Sequence, residues 1–155
     1  MVEEPSPEQI KKIHKLNLFK IKGRDKRGHK ILRIMGKHFP AKSLTVDLLK
    51  KYLEVKIFPK LERPFVVVYI HTDVHKSENF PGISVYDAIP ITVKQNMEAV
   101  YFSAMHGLYA KQRYVSRLAY LWEHVKRNEI EIPEFVYDHD EDLEYRPMIG
   151  LRFRE

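Results

Sequence analysis

The chain has 155 residues, 44% of them apolar and 31% charged, which is typical of a single soluble globular domain and too apolar for a disordered chain. It contains no cysteine, and this excludes disulfides, cysteine-based zinc sites, iron–sulfur clusters and thiol catalysis. The net charge of +6 is uneven, because residues 1–60 carry 16 Lys and Arg against six Asp and Glu, whereas residues 61–155 carry 11 against 15.

The basic N-terminal half indicates an anionic partner, either nucleic acid or a membrane surface. A solvated, solubilising lysine face is the alternative interpretation. The acidic, polar N-terminus lacks the pattern of a signal peptide, and no apolar run reaches the length of a membrane span. We therefore expect a cytoplasmic protein.

The first sixty residues predict a helix, a hairpin and a second helix. The pattern of residues 8–18 predicts a short basic helix with isoleucines on one side and lysines on the other. Alternating residues in Phe19–Lys22 and an apolar run in Lys30–Met35, separated by the turn Gly23–Gly28, predict a hairpin. Apolar residues recur at helical spacing through residues 44–58.

The remainder predicts further strands and helices. Phe65–His71 is a continuous run of β-branched and aromatic residues, which indicates a strand buried on both faces of a helix-covered sheet. Residues 83–95 are ambiguous between strand and helix, with Pro90 interrupting either. Glu98–Ser103 predicts a strand, and Arg117–Arg127 predicts a helix with one apolar face.

The end of the chain predicts a short strand containing Ile130 and Ile132, followed by an acidic helix that begins at Pro133. The whole order indicates a three-layer α/β or α+β domain with a mixed sheet.

Catalytic signatures are missing from the sequence. It has no nucleophile elbow, phosphate-binding loop, dinucleotide fingerprint or zinc-protease helix. His71 and His75 flank Asp73 and could bind zinc, but a pair of surface loop histidines is the preferred interpretation. We expect no enzyme activity, cofactor or metal. We also expect no nucleic acid, because the aromatic residues do not alternate with basic ones.

The motif Gly23-x-Asp25-x-x-Gly28-His29-x-Ile31 resembles the entry hairpin of CRAL-TRIO domains, a fold of lipid-binding and lipid-transfer proteins, with His29 where Arg is commoner. Several later segments resemble the same family, in the same order. The other matching segments are Phe65–His71, Ala99–Phe102, Tyr114–Leu118, Leu121–Val125 and Ile130–Val136.

The divergent, BCH-like group of this family is the most similar one. It occurs in ganglioside-induced differentiation-associated proteins, their plant relatives and some Rho-GTPase-activating proteins. The resemblance covers roughly residues 15–145 and implies an α/β fold with a CRAL-TRIO-like mixed β-sheet flanked by helices. The chain is thereby divided into a basic helical lead-in (1–14), the domain (15–145) and a C-terminal tail (146–155).

One departure from the family concerns the lipid gate. The family usually has a long apolar gate helix after the strand that ends here at Phe102, whereas this chain reaches the next strand soon after Lys111. We expect a shortened lipid-gate segment. An apolar pocket without a lid meets water unless another segment or a second chain covers it.

The resemblance implies non-catalytic binding of a lipid or other hydrophobic ligand of phosphoinositide type, with a signalling or membrane-surface role. The candidate pocket residues are Val66, Val68, Ile70 and Tyr101. The protein would attach peripherally to an anionic membrane surface. The candidate contacts to that surface are Lys11, Lys12, Lys15, Arg24, Lys26 and Arg27. The alternative is a protein-interaction scaffold, in which the uncovered groove serves a homodimer or a small-GTPase signalling protein.

Overall fold

The computed structural model describes most of the chain. The described residues are 4–61, 63–72, 74, 81–103, 112–115 and 118–137.

A five-stranded mixed sheet forms the centre of the molecule, with its strands in sequence order from edge to edge. The first two strands are antiparallel, and each following strand is parallel to its predecessor. The α/β class with a mixed sheet is therefore confirmed. The strands are β1 (Phe19–Arg24), β2 (Lys30–Met35), β3 (Phe65–Ile70), β4 (Met97–Ser103) and β5 (Gln112–Val115).

The central strand β3 is buried along its whole length, as its unbroken apolar sequence predicts. Its residues pair in parallel with β2 on one side, Val66 opposite Ile31, and with β4 on the other, Val66 opposite Ala99. Because successive side chains point to opposite faces, β3 contributes to two separate cores.

One face of the sheet, here called the helix face, packs against helices. It presents Leu32, Ile34, Phe65, Val67 and Tyr69 to the core. The helices of the domain's N-terminal and central parts are α1 (Pro7–Lys15), α2 (Val46–Tyr52), α3 (Gly82–Ala88) and α4 (Ile91–Lys94).

Local signals explain where these helices begin. Ser6 accepts a hydrogen bond from the backbone N–H of Gln9, whose side chain accepts one from the N–H of Ser6, so that a capping box starts α1. Thr45 caps α2 through the N–H of Leu48. The ambiguous segment 83–95 is helical on both sides of Pro90, which precedes α4.

The second predicted helix changes its winding before it ends. After α2, Leu53–Ile57 forms one π-helical stretch and Phe58–Lys60 a 3₁₀ turn. Wide turns of this kind are frequent at functional sites. This irregular stretch turns Leu53, Ile57 and Phe58 into the core.

The opposite face of the sheet, here called the cover face, packs against residues 118–136, here called the C-terminal cover. Helix α5 (Leu118–Leu121) is shorter than predicted, because the chain leaves the helix in a series of turns. The carbonyl of His124 accepts from the N–H of Lys26 in the hairpin at 2.8 Å, so it is turned towards the hairpin. The cover completes a three-layer arrangement.

The predicted strand at Ile130 and Ile132 is wrong. Both side chains are buried on the cover face, but neither residue belongs to a strand. The carbonyl of Glu131 between them accepts from the guanidinium of Arg33 instead of a strand partner. Residues 134–137 then form a helical turn after Pro133, as predicted, and the acidic residues beyond it lie outside the described part.

No helix in the described part of the chain has both the length and the apolar character needed to cross a bilayer.

Candidate functional site

The Gly–Asp–Gly–His motif forms the turn of the β1–β2 hairpin. Asp25 is buried, and its Oδ1 accepts from the backbone N–H groups of Arg27 and His29 at 3.0 and 2.8 Å. Its Oδ2 lies 3.2 Å from Nδ1 of His29. Gly28 has a φ of +89°, which favours glycine. These contacts organise the turn and account for the motif structurally.

Arg33 joins three parts of the fold beneath the cover. Its side chain is 1% exposed, and it donates to the carbonyl of Glu131 at 2.8 Å and to that of Asn17 at 2.7 Å. Burial lowers the pKa of Arg33, while the charge of Glu131 opposes that shift. The guanidinium thereby ties β2 to the turn before β1 and to the cover.

The four predicted pocket residues lie on the same face of the sheet. Val66, Val68, Ile70 and Tyr101 all belong to the cover face and are at most 7% exposed. The cover contacts them with apolar side chains, and the ring of His124 stacks on Tyr101 with centroids 5.0 Å apart. A ligand on this face must therefore take the place of part of the cover.

An open cleft of about 1050 Å³ lies elsewhere, between α1, the edge strand β1 and the irregular stretch after α2. Apart from the exposed Pro59, its apolar residues are partly or fully buried. The rings of Phe19 and Tyr52 stack there with centroids 6.2 Å apart. The apolar lining consists of Ile10, Phe19, Ile21, Tyr52, Ile57 and Pro59.

Basic side chains surround this apolar floor, and we call the whole site the basic cleft. Among the described residues that line it, eight are Lys, Arg or His and none is Asp or Glu. They are Lys11, His14, Lys15, Lys20, Lys30, Lys56, Lys60 and Arg63. The seven Lys and Arg residues among them concentrate positive charge over an apolar floor, which attracts an anion that also carries an apolar part.

Two of these lysines already have partners. Lys20 forms an ion pair with Glu131 of the cover. The pKa of Glu131 is lowered, first by the hydrogen bond and charge of Lys20 and then by the more distant charges of Arg33 and Lys22. Lys30 donates to the carbonyl of Lys60 at 3.3 Å, which links two sides of the cleft.

The structure brings two of the six predicted anion contacts into the basic cleft, namely Lys11 and Lys15. Lys12 lies on the same helix but does not line the cleft. The other three belong to β1 and the hairpin turn and also lie outside it. They are Arg24, Lys26 and Arg27.

Sequence reasoning missed the side of the basic cleft that follows α2. Lys56, Lys60 and Arg63 lie about forty residues beyond α1 along the chain. A signal for it exists in the sequence, because no acidic residue occurs between Glu54 and Glu62. The helical pattern of this segment favoured its interpretation as an ordinary solvent-exposed helix face.

The carboxyl end of β3 carries a pair of polar rings. The hydroxyl of Tyr69 lies 2.9 Å from Nδ1 of His71. The two groups share this hydrogen bond, while burial raises the pKa of Tyr69 and lowers the pKa of His71, so both rings resist taking on charge. The predicted partners Asp73 and His75 lie outside the described residues, and within the described part no group of three metal-ligating side chains occurs.

The predicted shortened gate falls between Ser103 at the end of β4 and Gln112 at the start of β5, and the intervening residues lie outside the described part.

The chain is similar in sequence to a family of known proteins. A family model described as divergent CRAL/TRIO domain matches residues 28–109 and 102–142. Ganglioside-induced differentiation-associated protein 2 of Xenopus tropicalis is 25% identical over 138 residues, which cover 76% of this chain and 28% of the relative. The GDAP2 homolog of Drosophila melanogaster is 23% identical over 140 residues, covering 76% of this chain and 25% of the relative.

A third relative is the Rho GTPase-activating protein gacY of Dictyostelium discoideum. It is 26% identical over 98 residues, which cover 61% of this chain and 14% of the relative. The chain spans about a quarter of the length of the two differentiation-associated relatives and a smaller share of this third one.

Proposed function

Because this chain belongs to the divergent CRAL/TRIO domain family, whose domains are lipid-binding, we propose that it binds lipid without catalysis at an anionic membrane surface. The basic cleft takes a phosphoinositide-type headgroup, that is, an inositol ring carrying phosphates. The observation that carries the proposal is the set of eight Lys, Arg and His residues, with no Asp or Glu among the described lining residues, around an apolar floor. Each Lys or Arg near an anionic surface contributes about 1 kcal/mol to binding.

The cover face takes the hydrophobic ligand in this proposal. Val66, Val68, Ile70 and Tyr101 offer an apolar surface, which the C-terminal cover shields when no ligand is bound. The ligand keeps the sheet residues buried in place of the cover, and the cost of its binding is the exposure of the cover's own apolar side chains, about 25 cal/mol per Å². Peripheral membrane attachment, signalling and a cytoplasmic location belong to the same proposal. The cations of the hairpin turn, Arg24, Lys26 and Arg27, are proposed as additional contacts to the membrane.

Vesicle flotation tests the headgroup site. The triple variant Lys56→Gln, Lys60→Gln, Arg63→Gln removes three charges from the basic cleft. Its matched control Lys42→Gln, Lys50→Gln, Lys126→Gln removes three charges that do not line the cleft.

The vesicles are phosphatidylcholine with a phosphatidylinositol bisphosphate, and vesicles with phosphatidylserine at equal total charge serve as the reference. We expect the cleft variant to lose at least tenfold in affinity for the bisphosphate vesicles and the control to lose less than threefold. Equal losses in the two variants, or no preference over phosphatidylserine, would show diffuse charge attraction and refute the headgroup site. Binding should also weaken as salt is raised.

Mass spectrometry tests the apolar site. A stoichiometric lipid, seen in the native spectrum and again after organic extraction of the purified protein, would support a hydrophobic ligand. A protein that carries no lipid and takes none up from vesicles would contradict it.

The second candidate is an interaction scaffold that pairs with another copy or with a small-GTPase signalling protein. The observation in its favour is the similarity to a Rho GTPase-activating protein. Light scattering after size-exclusion chromatography tests the homodimer, and a concentration-independent monomer would remove that form of the alternative.

A further inference from the structure

Helices α3 and α4 meet in an exposed segment, residues 88–92, here called the apolar corner. Its residue Ile91 is 67% exposed and is the only large hydrophobic side chain that is exposed among the described residues. Ala88 and Pro90 are exposed beside it. One exposed apolar side chain is ordinary on a protein surface, but this one lies in a segment whose only polar side chain is that of Thr92.

The apolar corner lies within one helical turn of the end of the sheet at which the parallel strands begin. The carbonyl of Ile91 accepts from the N–H of Gln95 at 3.0 Å. The next residue, Asn96, gives its carbonyl to the N–H of Phe65 at 2.8 Å. Phe65 is the first residue of β3 and pairs in register with the first residues of β2 and β4. The apolar corner and the start of β2 therefore share one end of the sheet.

Four cations lie at the same end of the sheet. Three of them line the basic cleft, and the fourth ends α4. The exposed carboxylates nearest to the apolar corner along the described chain are those of Asp87 and Glu98. Cations therefore outnumber carboxylates in this group. The four cations are Lys30, Lys60, Arg63 and Lys94.

We propose that the apolar corner enters the interface of an anionic bilayer, with Ile91 as the inserted side chain, while the cations of the basic cleft hold headgroups beside it. This inference rests on the proposed function and adds the part of the surface that contacts the membrane. Interfacial binding combines buried apolar area with attraction to anionic lipids. Both contributions lie at one end of the sheet here, so a single orientation of the domain satisfies them together.

Vesicle flotation measures the apolar contribution. Ile91→Ser removes the apolar side chain, and Ile91→Leu keeps one of similar size as the matched control. Ile91→Ser should bind bisphosphate vesicles about tenfold more weakly than the native chain, and Ile91→Leu should stay within about twofold of it. Because the side chain is largely exposed, neither variant should lower the melting temperature. Equal vesicle affinities of the native chain and Ile91→Ser would overturn the inference and leave the headgroup site standing.

Calorimetry with soluble inositol trisphosphate separates insertion from damage to the basic cleft. The trisphosphate offers charge without an apolar phase, so the native chain and Ile91→Ser should bind it equally. If Ile91→Ser lost as much affinity for the trisphosphate as for the vesicles, the inference would be overturned.

A fluorescent label tests insertion directly. The chain has no cysteine, so Ile91→Cys and Lys42→Cys each provide one site for an environment-sensitive nitrobenzoxadiazole label. Lys42 is exposed and lies between the carboxyl end of β2 and the start of α2, at the opposite end of the sheet. On bisphosphate vesicles the emission of the label at position 91 should shift to shorter wavelength, and that of the label at position 42 should not.

The remaining outcomes of the labelling experiment are decisive as well. An unshifted label at position 91 on vesicles that the labelled chain does bind would overturn the insertion alone. A shift that appears without vesicles as the protein concentration is raised would show that a second copy covers the apolar corner, and it too would overturn the insertion. A native chain that floats with neither bisphosphate nor phosphatidylserine vesicles would overturn the proposed function, and the insertion with it.

Discussion

Arg33 donates from one nitrogen, Nη2, to both oxygens of Asn17, the carbonyl at 2.7 Å and the side-chain amide at 3.0 Å. Asn17 has a φ of +56°, a left-handed conformation that asparagine adopts more readily than most residues. The buried cation thus fixes the turn that leads from α1 into β1. Helix α1 and strand β1, which both line the basic cleft, are joined by this turn.

Arg33→Met should destabilise the domain by about 1–3 kcal/mol, because the carbonyls of Asn17 and Glu131 lose a buried donor. Asn17→Gly should cost less, about 1 kcal/mol, since glycine keeps the left-handed conformation and only the amide oxygen's bond is lost. Urea denaturation measures both. A native midpoint in Arg33→Met would contradict the role given to the guanidinium.

Two substitutions at Asp25 separate its hydrogen bonds from its charge. Asp25→Ala leaves the N–H groups of Arg27 and His29 without their acceptor and should cost about 1–3 kcal/mol. Asp25→Asn keeps a side-chain oxygen at the same place and should cost clearly less. Chemical denaturation of the two variants side by side is the measurement, and equal losses would mean that the charge matters more than the turn.

Gly23 and Gly28 form a matched pair of turn glycines. Both have positive φ values, +76° and +89°, so alanine at either costs about 1–2 kcal/mol in backbone conformation. A Cβ on Gly28 meets nothing within 4 Å, whereas one on Gly23 would lie 1.9 Å from the carbonyl oxygen of Glu129 in the cover. Gly23→Ala should therefore lose about 1–3 kcal/mol more than Gly28→Ala. Equal melting temperatures for the two variants would show that the cover does not dock against β1.

Acidification should destabilise the domain through His71. Burial lowers the pKa of this imidazole in the folded state below its ordinary value of 6.5. Above the unfolded pKa both states bind no proton and the group has no effect. As the pH falls through that value, the unfolded state takes up a proton that the folded state resists, so stability decreases.

The check is to compare the native chain with His71→Gln. The stability of the native chain should fall relative to the variant between about pH 7.5 and pH 5.5. Tyr69→Phe removes the hydroxyl that lies 2.9 Å from Nδ1 while keeping the ring, and it serves as the control for burial alone. Parallel pH curves for the native chain and His71→Gln would contradict a lowered pKa for this half-buried imidazole.

Much of the fold was predictable because its signals are local. The capping residues before α1, the turn residues of the hairpin and the unbroken apolar run of β3 each act within a few neighbours. Predictions failed where a distant contact overrode the local pattern. Ile130 and Ile132 alternate as a strand does, but Glu131 gives its carbonyl to Arg33, ninety-eight residues away along the chain.

Some features of the candidate site can likewise be predicted from local sequence, and others cannot. The candidate pocket residues of β3 and β4 follow from strand position alone, and they lie on one face because side-chain alternation is a local property of a strand. The sequence of β3 does not predict which face packs against the N-terminal helices, since both of its faces are apolar. The contacts of α1 and the cover, which lie at opposite ends of the chain, decided it.

By itself, the sequence determined the mixed α/β sheet, the buried central strand, the organised hairpin turn and an excess of positive charge in the first sixty residues. Only the tertiary structure decided that Lys11 and Lys15 would share one cleft with Lys56, Lys60 and Arg63. Along the chain, each lysine looks like an ordinary solvated residue. The potential of a site depends on distances through space, and those distances are set when the crossover from β2 to β3 brings the segment after α2 beside α1.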